Sequence, residues 1–177
     1  MPQLIYIKIA DSPAAYSGRR LPIIHMKGIE RMIINIQRVD ENATIPTRGS
    51  VSAAGYDLYA VTELGERNIP SGETAMIRTG IKMEIPEGYF GAICARSGLA
   101  TKEGLRPANC VGIVDSDYRG EVIVALHNDS TEMRTITDGE RIAQIVITPY
   151  LNVEFEEVDN LSDTERGGGG FGSTGKK

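Results

Sequence analysis

Five short stretches carry residue types suited to chemistry on a phosphorylated ligand, and they are scattered along a chain of 177 residues. The densest is Gly112-Ile113-Val114-Asp115-Ser116-Asp117-Tyr118-Arg119-Gly120-Glu121. An apolar run ends at Asp115, Ser116-Asp117 turns the chain, and Gly120 precedes a second apolar run, so the pattern predicts a β-hairpin. Carboxylates and one aromatic at such a bend are either a solvated turn or a site, since turns collect Asp and Gly for backbone reasons. Arg96-Ser97-Gly98 sets a cation, a hydroxyl and a bare N–H at a possible helix start, which suits an anion or a plain N-cap. Asp57, just after Gly55-Tyr56, reads as turn chemistry. With phosphates nearby it becomes a candidate for magnesium, directly or through a metal-bound water. Gln144 lies inside an apolar run and must find a partner if buried, in the core or on a ligand.

The fifth stretch is the tail, Arg166-Gly167-Gly168-Gly169-Gly170-Phe171-Gly172-Ser173-Thr174-Gly175. Glycines let backbone N–H groups converge on phosphate oxygens, hydroxyls add donors, and arginine adds a bidentate fork. Phe171 offers a face for a base. The Lys-Ser/Thr ending and following helix of a P-loop are missing, which excludes a P-loop ATPase. Such a tail is either a plain terminus or a lid over a nucleotide.

The elements that must position these groups read as short strands. Thr74 to Arg78, Ile81 to Ile85, Tyr89 to Cys94, Glu121 to Leu126, Met133 to Thr137, Ile142 to Ile147 and Val153 to Val158 alternate or run apolar as strands do. Turn clusters separate them at Pro70-Ser71-Gly72, Pro86-Glu87-Gly88, His127-Asn128-Asp129-Ser130 and Asp138-Gly139. The one helical candidate is a turn or two after Ser97, with Ser97 as its N-cap. The expectation is an all-β sandwich or barrel.

Length supports one domain, able to bury about 70% of its unfolded surface without a metal or disulfide staple. A net charge of −5 argues against a non-specific grip on duplex nucleic acid, not against a small anion held locally. Cys94 and Cys110 match no zinc pattern and suggest buried thiols in a reducing compartment. No apolar run is long enough to span a bilayer, and the N-terminus lacks the pattern of a signal peptide. Residues 1–31 read as an extension of unknown role.

Taken in order, the motifs resemble those of the trimeric dUTPases (deoxyuridine triphosphate nucleotidohydrolases): Ala54-Gly55-Tyr56-Asp57-Leu58, Arg96 to Ala100, Gly112 to Glu121, Gly139 to Gln144, and Arg166 to Gly175. The resemblance covers about residues 33–177. One departure is Ala95, where the family usually has proline. The resemblance implies a jelly-roll β fold (a β-clip) over 32–160, a Gly-rich lid over 161–177, and a homotrimer with active sites shared between subunits. It implies cleavage of dUTP to dUMP and pyrophosphate with magnesium, which keeps uracil out of DNA and supplies dUMP for dTMP synthesis. No stable nucleic-acid or membrane partner is expected, a protein partner for residues 1–31 stays open, and the expected setting is intracellular, cytoplasm first.

By the same resemblance Asp115 is the base that activates the water attacking the α-phosphorus, and Tyr118 lies against the deoxyribose and screens out a 2′-hydroxyl. Asn109, Gly112, Ile113 and Val114 read uracil, with Ile123 adding a backbone contact. Arg96, Ser97 and Gly98, from a neighbouring subunit, and Gln144 meet the phosphates. Asp57 orders magnesium's water shell while the triphosphate holds the metal. Arg166, Gly172, Ser173 and Thr174 close on the terminal phosphates and Phe171 stacks over uracil. Two other readings fit less of the sequence: the related dCTP deaminase branch, which lacks the full tail, and a nucleotide-sensing interaction module.

Overall fold

The computed structural model describes residues 32–170, which fold into eleven strands and one short π-type turn. The strands are β1 (Asn35–Arg38), β2 (Tyr56–Tyr59), β3 (Glu66–Ile69), β4 (Thr74–Arg78), β5 (Ile81–Glu84), β6 (Tyr89–Cys94), β7 (Leu105–Pro107), β8 (Gly112–Val114), β9 (Ile123–Asn128), β10 (Arg134–Thr137) and β11 (Arg141–Pro149). They pair into four small antiparallel sheets, ordered β1-β5, β10-β3, β2-β11-β6-β8 and β4-β9-β7. The all-β expectation stands, with β4 and β6 at the very bounds that alternation predicts.

Alternation explains the core. In β4 Ala75 and Ile77 point inward between exposed neighbours, and in β9 Val124, Leu126 and Asn128 do the same. One cluster gathers these with Ile81 and Met83 of β5, Ile69 and Ile136 of β3 and β10, and Leu58, Ile93, Val114 and Ile145 of the four-stranded sheet. Each such side chain, fully buried, contributes about 1.5–3 kcal/mol.

Four expectations are corrected. The predicted β-hairpin at Gly112–Glu121 is an arch instead: β8 joins β6 in the four-stranded sheet while β9 joins β4 and β7 in the three-stranded one. Turn chemistry looks alike in both cases, and only long-range pairing separates them. The predicted strand Val153–Val158 pairs with nothing among the described residues, and every residue of 151–160 is exposed. Its period of two is real, but a strand needs a neighbour for its backbone groups. Ser97 does not cap the helical turn, which is Leu99–Glu103 with Gly98 before it and no side-chain cap bond; Thr101 Oγ1 instead donates to the Ser97 carbonyl at 2.7 Å. Finally, Cys94 is half-buried and Cys110 exposed, not both buried.

His127 and Asn128 extend β9, where a turn was expected. Asn128 is fully buried, and its Nδ2 donates to the Ile69 and Glu132 carbonyls at 2.9 and 2.8 Å. A satisfied buried amide of this kind pins the far end of the strand that leaves the arch.

Candidate functional site

Strand register decides which of the marked residues meet. Gln144 on β11 lies opposite Asp57 on β2 and Cys94 on β6, so the Gln144 and Asp57 motifs sit side by side where β6 runs out toward Arg96. Asp57 is 13% exposed, and each of its oxygens takes an arginine: Arg96 Nε donates to Oδ1 at 2.9 Å and Arg141 Nη1 to Oδ2 at 3.3 Å. Arg96 Nη1 also donates to the Arg141 carbonyl at 3.0 Å. One carboxylate thus aligns two guanidinium groups and leaves the cluster with a surplus positive charge and unused N–H donors. Such a cluster has the chemistry to receive an anion.

Gln144 Nε2 donates to the Ala95 carbonyl at 2.9 Å and so braces the strand exit just ahead of Arg96. The side chain occupies the space above Gly55, where a Cβ would collide with its amide, and this gives Gly55 a packing reason in addition to turn chemistry.

Arg141 was not singled out in the sequence. Its place follows from a bulge in β11: Arg141 opposes Tyr59 and Ala143 opposes Leu58, so Ile142 is one residue too many. The extra residue puts Arg141 and Gln144 on the same face although they are three apart. The signal was present in the adjacent apolar pair Ile142-Ala143, both buried, which breaks a strict period of two.

The arch lies at the other end. β8 is the edge strand of its sheet, paired only with β6, so alternate N–H and C=O groups of Gly112, Ile113 and Val114 point away from the sheet. Gly112 sits close over Ile93 and beside Asn109, where a Cβ would lie 3.2 Å from Ile93 Cβ and 3.4 Å from Asn109 Nδ2. Cys110 between them takes φ 61°, a left-handed conformation unusual for a side chain other than glycine or asparagine. Asp115 is exposed, and among the described residues its carboxylate joins none of the ion pairs.

The bend after Asp115 is held from within. The Tyr118 N–H donates to the Asp115 carbonyl at 3.2 Å, and Arg119 Nη1 donates to the carbonyls of Ser116 and Tyr118 at 2.6 and 3.0 Å. Arg119 Nη2 reaches Glu84 at 3.4 Å, and Asn35 holds the other oxygen of Glu84 at 2.8 Å. Beside this bend opens a cleft of about 860 Å³ lined by Asp115, Asp117, Glu84 and Glu87 with Arg119 as its cation. A bare triphosphate would be repelled there.

Register also measures the distance between the two ends. Val114 opposes Gly91, so Asp115 comes level with Phe90, six residues before Arg96 on the same strand direction. At about 3.3 Å per residue that is about 20 Å, more than an aspartate and an arginine can close on one phosphorus. Asp57, Arg96, Arg141 and Gln144 are therefore brought together, while Asp115, Tyr118, Asn109 and Gly112–Val114 form a separate group in the same chain. Ile123, 40% exposed, starts the return strand beside that group. Ser97 and Gly98 follow Arg96 into the π-type turn.

In the tail Arg166 Nε donates to the Gly169 carbonyl at 2.7 Å, closing a turn in which Gly167 takes φ 51°. Phe171, Gly172, Ser173 and Thr174 lie outside the described residues, as does the extension 1–31. Among the described residues no helix is long and apolar enough to cross a membrane, and no group of three or more His, Cys, Asp or Glu is placed to hold a metal ion.

Comparison with known proteins places this arrangement. The family profile for dUTPase matches residues 41–175. The deoxyuridine 5'-triphosphate nucleotidohydrolase of Nautilia profundicola is 48% identical over 145 residues, covering 82% of this chain and 100% of the relative. That of Yarrowia lipolytica is 47% identical over 146 residues, covering 81% and 90%. Among solved structures, a mutant dUTPase of Staphylococcus bacteriophage 80alpha with dUpNHpp superposes with a TM-score of 0.74 at 29% identity, covering 81% of this chain and 98% of that one. The chain belongs to the dUTPase family.

Proposed function

We propose that this chain hydrolyses dUTP to dUMP and pyrophosphate, with Asp115 taking the proton of the water that attacks the α-phosphorus. The observation that carries the reading is the arch: an exposed carboxylate free of ion pairs among the described residues, three residues from an exposed tyrosine, at the end of an edge strand with outward backbone groups, in a chain of the dUTPase family. A general base of this kind is worth about 10²–10⁴-fold, and the remainder comes from positioning and charge stabilisation.

Family likeness and, for the described residues, the geometry support the other roles. Asn109 with the free backbone edge of Gly112, Ile113 and Val114, and Ile123 at the start of the return strand, would read the uracil edge. Tyr118 would wall off the 2′ position of the sugar. Arg96, aligned by Asp57 with Arg141 beside it, would meet the phosphates together with Ser97, Gly98 and Gln144. Arg166, Phe171, Gly172, Ser173 and Thr174 would form a lid over 161–177 that excludes water.

Magnesium fits as a cation carried in by the triphosphate. Both oxygens of Asp57 are already engaged by arginines, so Asp57 would meet the ion through a water, which suits magnesium's reluctance to dehydrate. When bound, the ion would neutralise phosphate charge, and it would ease entry to the carboxylate-rich cleft beside Asp115.

The separation of Asp115 from Arg96 supports a homo-oligomer, a trimer by family likeness, in which one copy supplies the arch and another the arginines. The unpaired segment after β11 supports it too. Leu151, Val153 and Phe155 are exposed at every second position, Phe155 at 96%, which is what a strand destined for a neighbour's sheet looks like.

The test is pyrophosphate release from dUTP, UTP, dTTP and dCTP, with and without magnesium, by the full chain and by a variant ending at residue 165. Turnover of dUTP alone, lost on truncation while the oligomer persists, is expected. No pyrophosphate from dUTP would refute the reading.

A further inference from the structure

Tyr118 is tied to the fold through a residue that no role above uses. Its hydroxyl donates to the backbone carbonyl of Glu121 at 3.0 Å, and its ring fills the space over Gly120 where a Cβ would otherwise sit. The ring is 45% exposed, and among the described residues the Glu121 carbonyl is the hydrogen-bond partner of its hydroxyl. Its placement depends on that one carbonyl.

The residue that offers this carbonyl is in turn anchored through its side chain. Glu121 Oε1 accepts the Gly80 N–H at 2.8 Å and Oε2 accepts Arg78 Nε at 3.1 Å, while Arg78 Nη1 reaches Asp40 at 3.3 Å. The Glu121 hydrogen bond and charge, with those of Asp40, raise the Arg78 guanidinium above its ordinary value. Gly80 is itself closely packed: it takes φ 67°, a Cβ there would lie 2.7 Å from Ala43 Cβ and 2.8 Å from Asp40 Cβ, and its carbonyl accepts the Val39 N–H at 2.8 Å. The Glu121 side chain is 17% exposed, so the contact is shielded from much of the screening that weakens surface pairs. Immediately beyond, the Val122 N–H donates to the Ile81 carbonyl at 2.9 Å. Glu121 is therefore the last rigid point of the arch, and the tyrosine hangs from it.

A steric wall discriminates only while it cannot yield, within about 0.5 Å for a functional group. We propose that Glu121, clasped by Arg78 and the Gly80 N–H, is a positioning residue for Tyr118 and so helps set the preference for deoxyribose over ribose. This deepens the reading of Tyr118 as the sugar wall and rests on it.

The experiment compares kcat/KM for dUTP and UTP, by pyrophosphate release, in the full chain and in Glu121→Ala, Glu121→Gln, Tyr118→Ala and the Tyr118→Ala, Glu121→Ala double variant. Glu121→Ala is expected to lower the dUTP:UTP ratio about tenfold, the scale of one lost charge-assisted hydrogen bond. Glu121→Gln, which keeps an acceptor for Gly80, falls between, and it supplies the ratio if Glu121→Ala yields no soluble protein. In the Tyr118→Ala background the second change lowers the ratio no further. A Glu121 variant that melts earlier but keeps the wild-type ratio overturns the inference and leaves the sugar wall standing. A wild-type chain indifferent to the 2′-hydroxyl, or a Tyr118→Ala variant with undiminished preference, overturns the sugar wall itself and the inference with it.

Discussion

The two ends of the four-stranded sheet are built on opposite plans. At the Gln144 end every charge has a partner: one half-buried aspartate, two arginines locked on it, and a glutamine holding the strand exit. At the arch the backbone is held, by Arg119 from within and by Glu121 from behind, but the Asp115 carboxylate is left open to solvent. On the proposed reading the first end is pre-organised to receive charge, and the second holds the reactive group. Neither is a complete site, and the register keeps them about 20 Å apart in one chain. On the proposed reading, pre-organisation and reactivity lie in different parts of one chain and would meet only between copies.

That contrast can be broken at either end. The largest effect is expected from Asp115→Asn, which should lower kcat for dUTP by about 10²–10⁴-fold while leaving nucleotide affinity and melting temperature close to wild type. Single-turnover kinetics beside isothermal titration would check both halves. A loss of affinity equal to the loss of rate would mean that Asp115 binds and does not catalyse.

Asp57→Ala should show the reverse signature. Removing the carboxylate leaves two guanidinium groups facing each other without compensation, at a cost of about 1–3 kcal/mol in stability. The phosphate contacts should weaken, with KM rising more than kcat falls, as urea unfolding and steady-state kinetics would register. A variant of wild-type stability would show that the ion pairs contribute nothing to the fold.

How far the sequence foretold this can be judged element by element. Alternation located β4 and β6, because side-chain period is a local property of a half-buried strand. Residue chemistry at the motifs marked Asp57, Arg96 and Gln144, and the register brings them together. Pairing partners were out of reach. Gly112–Glu121 carries the same turn residues whether its strands pair with each other or part into two sheets, and only Gly91 on β6 and Ile77 on β4, distant in the chain, settle which. Arg141 was missed because a period-two reading places it opposite Gln144, and a single bulge reverses that. Val153–Val158 was read as a strand from a pattern that is present but has no partner within the described residues of one chain.

The central claim, that a working site draws its reactive carboxylate from one copy and its phosphate-binding arginine from another, has a direct test by subunit mixing. Asp115→Asn and Arg96→Ala chains, each inactive alone, are unfolded together, refolded into mixed oligomers and assayed for pyrophosphate release from dUTP. Sites shared between copies should recover about one quarter of wild-type activity, since random mixing in a ring of heterologous contacts gives that share of sites both intact groups. Mixed oligomers that stay as inactive as their parents would show that each site is built within one chain, and would contradict the account.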